Sequence, residues 1–129
     1  MEFNPKCHMT KNTLALILLL SSVFSFAQAA EPAATKAEIA HLFSTLEASK
    51  CQFYRNGSWY VTKDASAHLQ SKYRYLQDND LVPSAEKFIE RAATESSLSG
   101  KAYQIKCSDN VAQASAPWFK AALLRYRAR

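Results

Sequence analysis

A set of polar residues has the types and spacing of an anion-binding surface: Arg55, His68, Lys72, Ser96, Ser97 and Ser99. His68 and Lys72 are four residues apart, so they share one side of a predicted helix. Arg55 precedes an Asn-Gly turn, and the serines form a polar stretch later in the chain. Cations and hydroxyl groups of this kind bind a carboxylate, a phosphate or a glycan. The competing interpretation is that the cations are solvated and the serines bond to the backbone of their own loop.

An aromatic pair is the second candidate site. Asn56-Gly57 lies between two aromatic and β-branched runs and predicts a hairpin with a type I′ turn, because that turn needs φ > 0 twice. The resulting register pairs Tyr54 with Trp59 on one face of the sheet. An exposed pair would suit a sugar ring or a protein partner. Alternatively, a helix carrying Trp118 covers this face and the pair belongs to the core.

The N-terminal segment has the pattern of a secretory signal peptide. Basic residues precede an apolar run from Leu14 to Phe26, which is followed by Ala27-Gln28-Ala29. The run is shorter than the roughly 20 residues that cross a bilayer as a helix. We expect cleavage near Ala29, whether Met1 or Met9 is the start, and a periplasmic or secreted protein with no stable membrane span. The alternative is an uncleaved membrane anchor.

Two cysteines remain in the expected mature chain, Cys51 and Cys107. In an oxidising compartment a pair of cysteines most simply forms one disulfide. A zinc site needs three or four ligands, and neither His41 nor His68 lies at ligand spacing from a cysteine. Redox catalysis needs a Cys-x-x-Cys pair, which the sequence lacks. We therefore predict a Cys51–Cys107 disulfide, no metal site and no cofactor.

Catalytic signatures are incomplete in this sequence. Ser84-x-x-Lys87 and Ser108-Asp109-Asn110 resemble two parts of the penicillin-binding signature, but its Lys-Thr-Gly element is missing. Ser84 is better explained as the N-terminal cap of a helix. No pair of carboxylates has the pattern expected for glycoside cleavage. We predict no catalytic residues, and an enzyme of unknown class is the least favoured function.

Length and charge narrow the class of protein further. The chain has 129 residues and a net charge of +5, which is enough for one small domain. The basic residues are spread along the sequence, apart from a closing group at Arg125, Arg127 and Arg129. Nucleic-acid binders concentrate basic residues on one face, so we expect no nucleic-acid partner. The charge is interpreted as a solvated surface, or as weak attraction to anionic polymers of the envelope.

Hydrophobic periodicity predicts the element order α-β-β-α-α-β-α. Two strands flank the Asn56-Gly57 turn, and alternation over Ala102–Cys107 predicts the third. Helices combined with a small antiparallel sheet are typical of an α+β domain. We predict a signal peptide over residues 1–29. Residues 30–129 are expected to form one α+β domain with a three-stranded sheet, about four helices and one disulfide.

Several spaced motifs resemble the YfeK-like family of small exported bacterial proteins: Cys51-x-Phe53-x-Arg55-Asn56-Gly57-x-x-Tyr60, Ala65-x-x-His68-Leu69-x-x-Lys72, Phe88-Ile89, Ser96-Ser97-Leu98-Ser99-Gly100-Lys101-x-Tyr103-x-x-x-Cys107 and Trp118. The resemblance covers residues 38–127, nearly all of the expected mature chain. It implies a periplasmic domain of unknown function. The resemblance therefore supports a periplasmic location and a single domain over most of the expected mature chain. It does not indicate an activity.

Three classes of function are consistent with these features. The first is a small exported binding domain that recognises an anionic envelope component, such as a glycan or another anionic ligand, or a periplasmic protein. The second is a structural or stress accessory of the envelope without a small ligand. The third is an enzyme. The small size, the incomplete catalytic signatures and the expected disulfide favour the first two.

Overall fold

The computed structural model describes residues 30–108 and 111–129, so the expected signal peptide and the Asp109-Asn110 pair lie outside the described residues. The elements occur in this order: α1 (Ala33–Ala48), β1 (Gln52–Arg55), β2 (Ser58–Val61), α2 (Thr62–Asp78), α3 (Ala85–Ala92), β3 (Gln104–Lys106), β4 (Gln113–Ala114) and α4 (Ser115–Arg127). The four helices agree with the prediction. No helix in the described part of the chain has the length and apolarity needed to cross a membrane.

The predicted three-stranded sheet is wrong, because the sheet has four antiparallel strands in the order β2-β1-β3-β4. The additional strand, β4, pairs Ala114 with Gln104 and Gln113 with Ile105. Two residues are too few to show the alternation that identifies a strand in a sequence. They also lie directly before α4, so the local pattern is that of a helix start. Gln113 and Ala114 form a strand because β3 lies beside them and supplies their hydrogen-bond partners.

The hairpin formed by β1 and β2 has the predicted register. Tyr54 is opposite Trp59, and Arg55 is opposite Ser58. The connecting residues Asn56 and Gly57 have φ values of 47° and 92°, as a type I′ turn requires. Side chains alternate along a strand, so Arg55 points to the same face as the buried Phe53, whereas Tyr54 points to the opposite face.

The disulfide predicted between Cys51 and Cys107 is present. The antiparallel pairing of β1 with β3 places Phe53 opposite Ile105 and Gln52 opposite Lys106. The next pair in this register is the two cysteines, whose Cα atoms are 4.1 Å apart. The bond therefore fastens together two strands that are far apart in the sequence.

The helices pack on the sheet face that carries Phe53 and Ile105, both of which are buried. Each helix contributes fully or almost fully buried apolar side chains to this core, among them Leu42, Leu69, Phe88 and Phe119. Full burial of one such side chain stabilises a fold by about 1.5–3 kcal/mol. The short helix α3 begins at the predicted cap, where the hydroxyl of Ser84 accepts from the Lys87 amide at 3.2 Å.

Replacing both disulfide cysteines by alanine (Cys51→Ala with Cys107→Ala) is expected to lower the free energy of unfolding by about 2–5 kcal/mol. The reason is that the bond joins residues 56 positions apart and restricts the unfolded chain. Unfolding by urea measures the change. The unaltered protein treated with a reductant is the control and should show the same loss; an unchanged transition midpoint would contradict the role assigned to the bond.

The variant Gly57→Val is expected to lose about 1–2 kcal/mol of stability, the usual cost of a left-handed conformation for a residue with a Cβ atom. A Cβ atom at this position meets no other heavy atom within 4 Å, so the loss comes from the backbone conformation and not from a clash. Gly57→Asn is the matched control, because asparagine tolerates positive φ and should retain most of the stability. Thermal unfolding compares them, and equal melting temperatures would refute the turn's role.

Candidate functional site

Arg55, His68, Lys72 and Tyr103 form a connected group that we call the cationic cluster. Arg55 lies at the end of β1 on the face that packs against helices, and α2 supplies His68 and Lys72. Nη1 of Arg55 is 3.0 Å from Nδ1 of His68, and Nε2 of His68 is 3.0 Å from the hydroxyl oxygen of Tyr103. Nζ of Lys72 is 3.4 Å from the same hydroxyl. The structure thus brings together the arginine, histidine and lysine singled out in the sequence.

Hydrogen-bond chemistry defines the protonation state of His68. The guanidinium of Arg55 can only donate, so Nδ1 of His68 must accept and carry no proton. The neutral ring then has its proton on Nε2, which donates to the oxygen of Tyr103. In a doubly protonated ring the N–H at Nδ1 of His68 would face an N–H of Arg55, and neither group could accept the hydrogen bond. In agreement, burial and the positive charges of Arg55 and Lys72 lower the pKa of His68.

Tyr103 is a member of the cluster that the sequence analysis did not identify as a site residue. Its side chain is 1% exposed and its ring lies 5.1 Å from that of Phe53 in the core. A buried tyrosine hydroxyl needs a polar partner, and this requirement was the signal available in the sequence. Burial raises the pKa of Tyr103, and the charge of Arg55 partly opposes the shift. Tyr103 therefore stays protonated and fixes the positions of His68 and Lys72.

Lys72 is held by neutral groups. Its Nζ donates to the backbone carbonyl of Glu95 at 2.9 Å and lies 5.0 Å from the ring centre of Tyr103. Burial lowers the pKa of Lys72, and the negative charge of Glu95 opposes the shift. None of the ion pairs in the described residues includes Lys72 or Arg55. Residues 30–108 and 111–129 also contain no set of three or more metal-ligating side chains.

The serine-rich stretch forms a loop that is bound to the hairpin tip through Asn56. The hydroxyl oxygen of Ser96 is buried and accepts from Nδ2 of Asn56 at 3.2 Å and from the Ser99 amide at 3.4 Å. The hydroxyl of Ser99 donates to Oδ1 of Asn56 at 2.7 Å. Two of the predicted site serines thus hold their own loop in place, while Ser97 is exposed. Asn56 was assigned only to the turn, because its contact with the loop is long-range.

The aromatic pair lies on the opposite face of the sheet from the cationic cluster. The rings of Tyr54 and Trp59 are 5.2 Å apart, and Trp59 is 37% exposed. Nζ of Lys106 lies 4.6 Å from the ring centre of Trp59 and occupies part of its surface. Trp118 packs against the neighbouring ring of Phe119 in α4. The aromatic pair and the cationic cluster are therefore two separate candidate surfaces, one on each face of the sheet.

Comparison with known families supplies a classification. Residues 33–127 match the family of unknown function DUF5329. This chain belongs to the DUF5329 family. The DUF5329 match runs from the first residue of α1 to the last residue of α4, so it includes the cationic cluster and the disulfide. No curated protein and no solved structure matches the chain.

Stability should fall as the pH decreases below about 7, because of His68. Its pKa is lower in the folded protein, where Arg55, Lys72 and Tyr103 face it, so the unfolded chain binds the proton first as pH decreases. The stability that neutral His68 contributes is fully present above the pKa of about 6.5 that histidine has in the unfolded chain. It is lost as the pH falls from there through the lower pKa of His68 in the folded protein. His68→Gln should flatten this part of the profile relative to that of the unaltered protein. Urea unfolding at several pH values tests this, and parallel profiles for the two proteins would contradict it.

Proposed function

We propose that this protein is a small exported binding domain whose cationic cluster binds the carboxylate or phosphate group of an anionic envelope component. The observation that supports the proposal is the placement of two partly buried cations, Arg55 and Lys72, on either side of a neutral histidine. Neither cation is paired with a carboxylate in the described residues. An anion would therefore supply the ion-pair partner that Arg55 lacks, and it would add to the partial compensation that Lys72 receives from Glu95.

The electrostatics of His68 support this interpretation. Burial lowers the pKa of His68 most, and the charges of Arg55 and Lys72 lower it further, so the positive potential of the two side chains overlaps at the imidazole ring. Holding like charges close together costs free energy unless an opposite charge is brought in. A bound carboxylate or phosphate would remove this cost. Arg55 suits the task, since a guanidinium donates two parallel hydrogen bonds to such groups.

Accessibility assigns different roles within the cluster. Arg55, His68 and Lys72 are each partly exposed and can reach a ligand, whereas Tyr103 is almost fully buried. Tyr103 is therefore a positioning residue, with its oxygen accepting from both His68 and Lys72. Ser97 is exposed at the edge of the serine loop and can add a hydroxyl contact.

Export is part of the proposal and has separate support. Disulfides persist in oxidising compartments, and this fold has one between β1 and β3. The signal-peptide pattern before residue 30 and the resemblance to the YfeK-like proteins favour the same location. An envelope component is accordingly the class of ligand that such a domain would meet.

Nuclear magnetic resonance titration of the His68 ring tests anion binding. Phosphate or acetate, added at constant ionic strength in place of chloride, should raise the pKa of His68 because a nearby negative charge favours the imidazolium. Lys72→Gln should weaken the response, because it removes one of the two cations. Lys101→Gln, which neutralises an exposed lysine after the serine loop, is the control and should leave the response intact.

A pKa of His68 that is the same in chloride, acetate and phosphate would refute anion binding at the cluster. The hydrogen bonds of Ser96 and Ser99 within their loop would then favour the second function, a structural accessory of the envelope without a small ligand.

A further inference from the structure

We infer that a pocket beside the cationic cluster binds an acidic saccharide. The pocket has a volume of about 390 Å³ and is lined by Ser71, Lys72, Tyr75, Leu76, Arg91 and Ser97. Because Lys72 belongs both to the pocket and to the cluster, the inference rests on the proposed function and adds the class of ligand. The pocket lies where α2, α3 and the serine loop meet.

Two cations from different helices supply the charge of this pocket. Nη1 of Arg91, on α3, donates to the carbonyl of Leu81 at 2.6 Å, and Lys72, on α2, donates to the carbonyl of Glu95. Each cation is thus held by a neutral backbone oxygen; Arg91 keeps further N–H groups for a ligand, and Lys72, which also donates to the Tyr103 hydroxyl, keeps one. In the described residues neither of them takes part in an ion pair. This arrangement favours a carboxylate or a phosphate ester.

The uncharged part of the lining favours a sugar over a bare inorganic anion. Tyr75 is 64% exposed, which leaves its ring available to the C–H face of a pyranose. Ser71 and Ser97 are exposed hydroxyls that can donate to, or accept from, sugar hydroxyls. A ligand with an acid group, an apolar ring face and several hydroxyls matches all of these groups at once.

Two further pockets in the described part of the chain fit an acidic saccharide less well. One is lined by Glu31 and Asp80, whose carboxylates would repel an acid, and Glu31 already accepts from Gln77. The other lies beside the disulfide and has Lys50 and Lys106 in its lining without an aromatic side chain. The pocket next to Lys72 alone among these three combines two cations with an aromatic ring.

Isothermal titration calorimetry with three small probes tests the inference. Glucuronate carries the acid and the ring, acetate carries the acid alone, and glucose carries the ring alone. At constant ionic strength glucuronate should bind at least about tenfold more tightly than either of the others, which corresponds to about 1.4 kcal/mol. Trigalacturonate is the fourth probe: tighter binding than glucuronate indicates a polysaccharide ligand, and equal binding indicates a free sugar acid.

Two variants locate the binding. Tyr75→Ala should remove the preference for glucuronate over acetate while the response of His68 to phosphate remains. Leu124→Ala is the control, because Leu124 is 65% exposed on α4 and lies outside the pocket lining. Equal affinities for acetate and glucuronate, or an unaltered preference in Tyr75→Ala, would overturn the saccharide inference. If the pKa of His68 is also unchanged by every anion, the proposed function is refuted together with the saccharide inference.

Discussion

The pairing of β1 with β3 is the interaction on which the rest of this structure depends. It joins segments about fifty residues apart, with Phe53 opposite Ile105, and the Cys51–Cys107 bond closes one end of the ladder. A non-local contact of this kind has a large entropic cost, which the covalent bond reduces by restricting the unfolded chain. The opposite end of the same ladder carries Arg55 beside Tyr103, so the core and the candidate site share one register.

Burial of Tyr103 connects the core to the charged surface. Its ring packs against Phe53, while its hydroxyl has to be satisfied inside the protein. His68 and Lys72 satisfy it, and their positions in turn place Arg55 against the imidazole. Because guanidinium and ammonium groups can only donate, the chain of hydrogen bonds keeps His68 neutral. Packing in the core thereby holds the charged side chains of Arg55 and Lys72 near the surface, with the neutral ring of His68 between them.

The candidate site could be predicted in part from the sequence. His68 and Lys72 followed from helical spacing and Arg55 from its place before the turn, because these relations are local. Tyr103 was not recognised as a site residue, because its contacts with His68 and Lys72 are long-range. The roles of Asn56 and Arg91 were missed, since each depends on segments that meet only after folding. Ser96 and Ser99 were assigned to the site from composition, and the structure shows their hydroxyls bonded within the loop and to the hairpin tip.

Local chemistry in the sequence was sufficient for the hairpin register, the four helices and the α3 cap, and the count of two cysteines in the expected mature chain was sufficient for the disulfide. A type I′ turn, a helical stripe and a capping serine each depend on residues only a few positions apart. Tertiary structure alone decided the fourth strand, because two residues become a strand only when β3 supplies their hydrogen-bond partners. It also decided that one tyrosine hydroxyl would contact a histidine and a lysine, with an arginine at the other nitrogen of the histidine ring, since these contacts require the long-range pairing of β1 with β3.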